Sequence, residues 1–403
     1  MNEQAITSRF RAHLAAGKTS AENKRLIVPH ILAARSSREF WEGANYVQHE
    51  PGWNQTEWTE GDLVVEDKFT LTEGQWASNL FRNSDLARRP GRYIWRNVLT
   101  QPQAEPFNPN MRWGCREYNA PERHFIDCDF FANLNSHGAY VSPYANTTFD
   151  RCTFVRCGAQ GLQIAHRPMP HAQYGPDNRP YEYKPRHVLR DSHFIDCGES
   201  GPSRSFSASY FNPGSQGLKG TLLVENCSFV AEFKETFDYL GSMSTGALLV
   251  SPMQGNPIMT TNMMERVEVR NCLFDYTKGD RAVATIRSTD EVLFEDCMFI
   301  ARDYGAVIDI NSPNAYTGTS KCKRIVLRNN KTEGSVTLRV FPEEQDRYDD
   351  FLLRLDVAAS DGREVVIDAE TGAVLSDRPL RADVSDTLIQ SIKDEREVYF
   401  GGQ

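Results

Sequence analysis

Residues 267–274 read VEVRNCLF, and residues 292–299, which lie 25 positions further along, read VLFEDCMF. In both segments apolar residues alternate up to the Asn or Asp, and the alternation restarts with the opposite parity at the cysteine. Alternation with period two is typical of a β-strand. Asn and Asp tolerate the left-handed backbone conformation of a tight corner. Each segment therefore predicts two short strands joined by a corner.

The same pattern recurs along the chain. Its further anchor positions, which match Cys272 and Cys297, are Val98, Cys128, Cys152, Ser192, Cys227 and Asn330. The shortest spacings, 24 and 25 residues, indicate the bare repeat, and the longer ones indicate the same repeat with inserted loops. A third strand, often opened by Gly-Ala as at Gly138 and Gly246, follows most anchors. Three short strands per repeat predict a coil of parallel strands.

With these motifs the chain resembles the right-handed parallel β-helix, or pectin-lyase-like, superfamily, and especially its NosD-like repeats, over residues 91–335. The resemblance implies an all-β, single-stranded right-handed parallel β-helix of about seven to eight rungs. The anchor cysteines are then expected to point inward and to stack about 4.8 Å apart, reduced, beside a column of phenylalanines. It implies no particular activity, because the fold hosts lyases, hydrolases, epimerases, adhesins and phage tailspikes.

Three regions are expected along the chain. Residues 1–90 form an N-terminal cap region, with helices predicted over residues 3–16 and about 20–42 from apolar spacing. Residues 91–335 form the parallel β-helix, and residues 336–403 form a small C-terminal α+β cap or assembly region. Caps are expected because an uncovered sheet edge at either end of a coil invites aggregation.

Composition excludes several classes of protein. A net charge of -9 with no basic tract argues against a nucleic-acid partner. Apolar runs fall short of the roughly 18 residues that a membrane span needs, and the first residues lack a secretion signal, so we expect folding in the cytoplasm. The nine cysteines include no CxxC pair and lie at no zinc-finger spacing to histidine. No cofactor and no metal are therefore expected.

Chemistry, if the chain performs any, is expected on the outward face of the third strands. A lyase that acts on an acidic sugar needs a base and a cation that stabilises the anion formed. The candidate catalytic residues on or beside this face are His137, Tyr140, His166, Arg167 and Arg287. Gln163 and Asp309 are candidate substrate-binding residues on the same face. Trp53 and Trp58 are further candidates because indole rings stack on sugars.

Two functions remain open on these grounds. One is a polysaccharide-recognising β-helix protein, with or without lyase activity on an acidic glycan, favoured by the cluster of His, Tyr and Arg with its long insertions. The other is a non-catalytic structural or assembly protein, such as a virion or tail-associated component, that forms a homo-oligomer or joins an assembly partner. The missing secretion signal and the missing hydrolase motifs favour the second.

Overall fold

The computed structural model describes residues 62–66, 69–72, 92–96, 98–102, 113–117, 122–131, 137–141, 145–155, 157, 160–164, 184–195, 197, 207–211, 219–230, 246–251, 264–275, 282–301, 306–312, 321–342 and 351–380. These residues form β-strands, connecting turns and one short 3-10 helix, Val357–Ser360. The strands are β1 (Leu63–Glu66), β2 (Phe69–Thr72), β3 (Tyr93–Arg96), β4 (Leu99–Pro102), β5 (Trp113–Glu117), β6 (Glu122–Ile126), β7 (Asp129–Phe131), β8 (His137–Val141), β9 (Asn146–Asp150), β10 (Thr153–Val155), β11 (Leu162–Ile164), β12 (Arg186–Arg190), β13 (His193–Ile195), β14 (Ser207–Phe211), β15 (Gly220–Glu225), β16 (Ser228–Val230), β17 (Gly246–Val250), β18 (Met264–Arg270), β19 (Leu273–Asp275), β20 (Ala284–Ile286), β21 (Thr289–Glu295), β22 (Met298–Ile300), β23 (Ala306–Ile310), β24 (Arg324–Arg328), β25 (Lys331–Glu333), β26 (Val336–Val340), β27 (Leu353–Asp356), β28 (Arg363–Asp368) and β29 (Val374–Pro379).

Three sheets divide these strands between them. The first sheet runs β1, β3, β6, β9, β12, β15, β18, β21, β24, β28, β29; the second runs β2, β4, β7, β10, β13, β16, β19, β22, β25; and the third runs β5, β8, β11, β14, β17, β20, β23, β26, β27. From β3 to β26 the chain visits the three sheets in turn, and each strand pairs in parallel with the strand one turn earlier. The predicted all-β coil of parallel strands is confirmed at this level.

The corner between the first and second sheets has the predicted backbone. Residues with positive φ, between 48° and 55°, stand directly before the anchor positions: Asp127, Arg151, Asp191, Asn226, Asn271, Asp296 and Asn329. Six of these seven are Asp or Asn, which bear this conformation at low cost. The switch of parity in the sequence therefore marks a real change of sheet.

Two columns of side chains fill the interior. The anchor cysteines Cys128, Cys152, Cys227, Cys272 and Cys297 are buried and form no disulfide. Burial raises the pKa of the Cys152 and Cys297 thiols, which keeps them protonated and unreactive. Beside them a column of phenylalanines stacks ring on ring, with centroids 4.5 to 5.1 Å apart: Phe130, Phe154, Phe194, Phe229, Phe274 and Phe299. The predicted interior columns are confirmed.

The parallel pairing extends beyond both predicted limits of the coil. It begins at Leu63 in β1 and ends at Val340 in β26, where the sequence pattern predicted residues 91 and 335. The first sheet therefore contains nine parallel strands among the described residues, instead of seven or eight rungs. Within residues 1–90 the described segments are strands, and the predicted N-terminal helices lie outside the described residues, so the structure supports no helical cap there.

The C-terminal end of the coil reverses direction. Strand β27 pairs antiparallel with β26, and the hairpin of β28 and β29 pairs antiparallel onto β24. The sequence Glu370-Thr371-Gly372 predicts a hairpin turn, and the hairpin turns there, with Asp368 accepting hydrogen bonds from the backbone amides of Glu370 and Thr371. Strand reversal ends the parallel stacking on the first and third sheets. Leu388, Ile389 and Ile392 also predict a helix around residues 386–395, which lies outside the described residues.

The outward face of the first sheet carries what we call the charge ladder. Its members occupy paired positions on consecutive strands and alternate in sign: Asp150, Arg190, Glu225, Arg270, Glu295, Arg328, Glu364 and Arg378. Nitrogen to oxygen distances along it are 2.9 Å for Arg190 to Asp150 and 3.0 Å for Arg270 to Glu295. Opposite charges face each other across the strands, so the charged side chains of the ladder pair with one another.

Candidate functional site

One continuous row of outward positions crosses the third sheet. Strand pairing places these residues side by side, one per strand from β8 to β26: Tyr140, Gln163, Tyr210, Leu249, Thr285, Asp309 and Arg339. We call this set the third-sheet row. Neighbouring members lie about 4.8 Å apart because that is the spacing of strands in a sheet. The strand alternation predicted from the sequence therefore brings Tyr140, Gln163 and Asp309 onto one line.

Members of the row differ in exposure. Tyr140, Leu249 and Thr285 are half-buried. Gln163 is buried, with 4% of its surface exposed. The middle of the row thus presents short apolar and hydroxyl groups.

Asp309 and Arg339 form a paired unit at the C-terminal end of the row. Arg339 donates from Nε to Oδ1 of Asp309 at 2.7 Å and from Nη2 to Oδ2 at 2.8 Å. The guanidinium carbon of Arg339 also lies 5.5 Å and 5.4 Å from the ring centres of Phe341 and Phe351, in cation–π range. Burial raises the pKa of the Asp309 carboxyl, although Arg339 and Arg287 both act to lower it.

Arg287 follows β20 at the corner beside this unit. It donates from Nε to the carbonyl oxygen of Ser312 at 2.6 Å, from Nη2 to Ser312 Oγ at 2.7 Å, and from Nη1 to Ser251 Oγ at 2.9 Å. These bonds hold the guanidinium in a fixed position across three turns of the coil. Its charge reaches Asp309, since it acts to lower the pKa of that carboxyl.

Positive charge exceeds negative charge at this end of the sheet. Arg354, exposed on β27, is paired in register with Arg339. Arg287, Arg339 and Arg354 therefore stand against two carboxylates at this end, those of Asp309 and of Asp356, which is exposed on β27 two residues from Arg354. Such a surface attracts anionic groups.

Tyr140 and Arg287, one candidate pair of catalytic base and anion-stabilising cation, lie far apart on the third sheet. Tyr140 lies on β8 and Arg287 just beyond β20, which is four strands away in the third sheet. Four steps between strands amount to about 19 Å. A base and a stabiliser must both contact one sugar ring, so Tyr140 and Arg287 cannot serve the same elimination step.

Of the remaining candidate site residues, His137 lies on the third sheet. His137 is the first residue of β8, and its backbone pairs with Trp113 of β5. His166, Arg167, Trp53 and Trp58 lie outside the described residues.

The repeat places Trp95, His187 and His193 on its strands and Asp127 at a corner, which favours structural roles for all four, and the structure agrees. Trp95 is buried in the core, and His187 and His193 are buried on β12 and β13. Asp127 occupies a corner with positive φ, as predicted.

The sequence pattern missed Arg339, Ser251 and Ser312. Arg339 fell outside the predicted coil because residues 336–403 were assigned to a cap. The alternation of Val336, Leu338 and Val340 in the sequence was the signal that a third strand completes the turn anchored at Asn330. The two serines carry no sequence signal of their own, since only the assembled turns bring them to Arg287.

Comparisons with known proteins found no similar protein. No protein family matches the chain, and neither a curated protein nor a solved structure matches it. Among the described residues no three His, Cys, Asp or Glu side chains are grouped so as to hold a metal ion. The same part of the chain contains no helix long and apolar enough to cross a membrane.

Proposed function

We propose that the coil is a right-handed parallel β-helix of the pectin-lyase-like kind, with NosD-like repeats, and that it recognises an acidic polysaccharide along the third sheet. The excess of arginine at the C-terminal end of the third-sheet row carries the proposal. An extended row suits a polymer, because it offers similar contacts on one strand after another. The uronate carboxylate is the group that Arg354 and its neighbours would bind.

Recognition is favoured over cleavage by the same geometry. Arg287 is held by two serines and Asp309 is held by Arg339, while Tyr140 is four strands away from Arg287 and five strands away from Asp309. A lyase reaction would need a base next to the arginines, and the described row places Thr285 and Leu249 there instead. We therefore assign this face to binding.

A panel of uronate polysaccharides, with a neutral glucan for comparison, tests this function. Binding is measured by calorimetry, and cleavage is followed by the ultraviolet absorbance of the unsaturated product. Arg354→Gln should weaken binding of the acidic glycan at least about tenfold, which corresponds to one lost charged contact of about 1.4 kcal/mol. Arg324→Gln is the matched control, because Arg324 is equally exposed on β24 of the first sheet.

Three results would contradict the proposal. They are no binding to any acidic glycan, equal loss in the two arginine variants, and binding of the neutral glucan with the same affinity. Appearance of the unsaturated product would instead establish the lyase and overturn the assignment to binding alone.

A second candidate function is that of a non-catalytic structural or assembly protein, such as a virion component. Its supporting observation is a group of exposed apolar side chains at the C-terminal end of the coil: Leu352, Val374 and Leu375. Leu375 exposes 62% of its surface on strand β29, at the edge of the first sheet. Mass measurement in solution tests it: an oligomer that Leu375→Asp dissociates supports assembly, and a monomer at all concentrations contradicts it.

A further inference from the structure

A polar row lies inside the N-terminal half of the coil. Tyr93, Arg123, Thr147 and His187 are paired side by side on four consecutive strands of the first sheet. All four are buried, with at most 2% of their surface exposed. We call this set the interior polar row. The same row continues on the next strands as Leu222, Val267, Val292 and Ile325, so its polar character ends after His187.

His187 is the least satisfied member of this row. Within the part of the chain that the structure describes, neither of its ring nitrogens has a hydrogen-bond partner. A buried polar group without a partner costs about 1–3 kcal/mol, and such groups in folded proteins usually meet an ordered water molecule or an ion. The buried imidazole of His187 can therefore form a hydrogen bond with a small ligand inside the coil.

Arg123, two strands from His187 in the same row, brings positive charge to this part of the interior. Its guanidinium, fully buried, donates from Nη1 to Thr147 Oγ1 at 3.3 Å, and that hydroxyl donates to the carbonyl oxygen of Ala145 at 3.1 Å. A guanidinium stays protonated at every pH at which proteins fold. Burial and the charge of Arg123 together lower the pKa of His187 to about 3, so the positive field extends to the imidazole.

We propose that the interior polar row binds a small monovalent anion of the halide class at the imidazole of His187, two strands from the guanidinium of Arg123. A halide accepts hydrogen bonds and donates none, so it matches an imidazole N–H within a positive field. A water molecule would complete the hydrogen bond of His187 but would not balance that field. The anion would then be a structural component of the N-terminal half of the coil, independent of glycan recognition on the third sheet.

Thermal unfolding of the full chain in chloride or bromide, against gluconate at the same ionic strength, tests the proposal. Gluconate is too large to enter the packed interior. The halide should raise the unfolding midpoint in a saturable manner, because a ligand that binds only the folded state stabilises it. His187→Leu should abolish this dependence. His124→Leu is the matched control and should retain it, since His124 is half-buried and bonds Glu122 on β6.

A crystal grown in bromide provides a measurement that does not depend on a variant. Anomalous scattering should show bromide within hydrogen-bonding distance of a ring nitrogen of His187. A water molecule or an empty space at that position would overturn the proposal, as would a halide effect that is equal in the wild type and His187→Leu. If His187→Leu fails to fold, the bromide crystal still decides.

Discussion

The two halves of the coil share one backbone plan and fill one interior row in opposite ways. On the first sheet the inward row holds Tyr93, Arg123, Thr147 and His187 in the N-terminal half, and only aliphatic side chains in the C-terminal half. The C-terminal half concentrates its charged groups on the outside, in the charge ladder and beside the third-sheet row. The difference shows that the repeat demands strand alternation and corners, while the chemistry of each interior position is free to vary.

The phenylalanine column tests whether the halves differ only in that row. Phe154→Ala in the N-terminal half and Phe274→Ala in the C-terminal half each remove one ring from a stack with neighbours on both sides. Each variant should lose about 3–5 kcal/mol of unfolding free energy, because a large buried side chain is removed and a cavity remains. Urea unfolding measures both. If Phe154→Ala loses less than half of the unfolding free energy that Phe274→Ala loses, the phenylalanine column is packed less tightly beside the interior polar row.

Breaking the charged pair in the C-terminal half should have the next largest effect. Arg339→Met leaves the Asp309 carboxylate buried without its bidentate partner, which should cost about 3 kcal/mol. Adding Asp309→Leu to Arg339→Met should restore most of that loss, because no buried charge then remains. Arg354→Met, at the exposed position next in register, should change stability by less than about 0.5 kcal/mol. A double variant as unstable as the single one would show that packing on Phe341 and Phe351 dominates.

The interior polar row predicts a dependence of stability on pH. His187 is neutral when folded, with a pKa of about 3, and binds a proton in the unfolded chain below about pH 6.5. The unfolded state then holds more protons, so stability falls with falling pH between these two values, by about 1.4 kcal/mol per pH unit. By pH 5 this amounts to about 2 kcal/mol relative to pH 7.5.

Urea unfolding in halide-free buffer at the two pH values measures this effect. His187→Leu should remove this difference in unfolding free energy between the two pH values, and His124→Leu should leave the difference unchanged. Equal slopes in all three proteins would contradict this, because His187 would then bind its proton equally in the folded and unfolded states.

The smallest effect is expected on the charge ladder. Arg270→Ala should cost less than about 1 kcal/mol, since the guanidinium is partly exposed and its pairs with Glu268 and Glu295 are screened by solvent. The loss should shrink in about 1 M salt, where the screening length is about 3 Å. A larger loss that is insensitive to salt would show that the stem of Arg270 packs on the sheet.

The strands and corners of the coil were predictable because their signals are local. Two short segments around Asn271 and Asp296 contain the alternation, the switch of parity and the residue type that the corner needs. The first turn and the last third-sheet strand were missed because this local signal is weaker there. No cysteine stands between β1 and β2, and the anchor before β26 is Asn330, although β1 and β26 both pair in parallel with their neighbours.

The candidate site was predictable only in part. Alternation correctly placed Tyr140, Gln163 and Asp309 on one outward line, since it depends on neighbours within each strand. It had no access to the distance between Tyr140 and Arg287, which depends on how many turns separate them. Nor did it reveal that Arg339 pairs with Asp309, because the two are 30 residues apart and meet only through strand register.

The amino-acid pattern was sufficient to predict the all-β repeat, the corners with left-handed backbone conformation at Asp and Asn, and the inward columns of cysteine and phenylalanine. Each of these follows from interactions within about ten residues, where chain geometry leaves few choices. The folded chain was needed to show that charges pair across turns, that β27 and β28 reverse direction at the end of the coil, and that the buried ring nitrogens of His187 have no hydrogen-bond partner among the described residues. Such facts depend on register between segments separated by loops of unequal length, and no local pattern encodes that register.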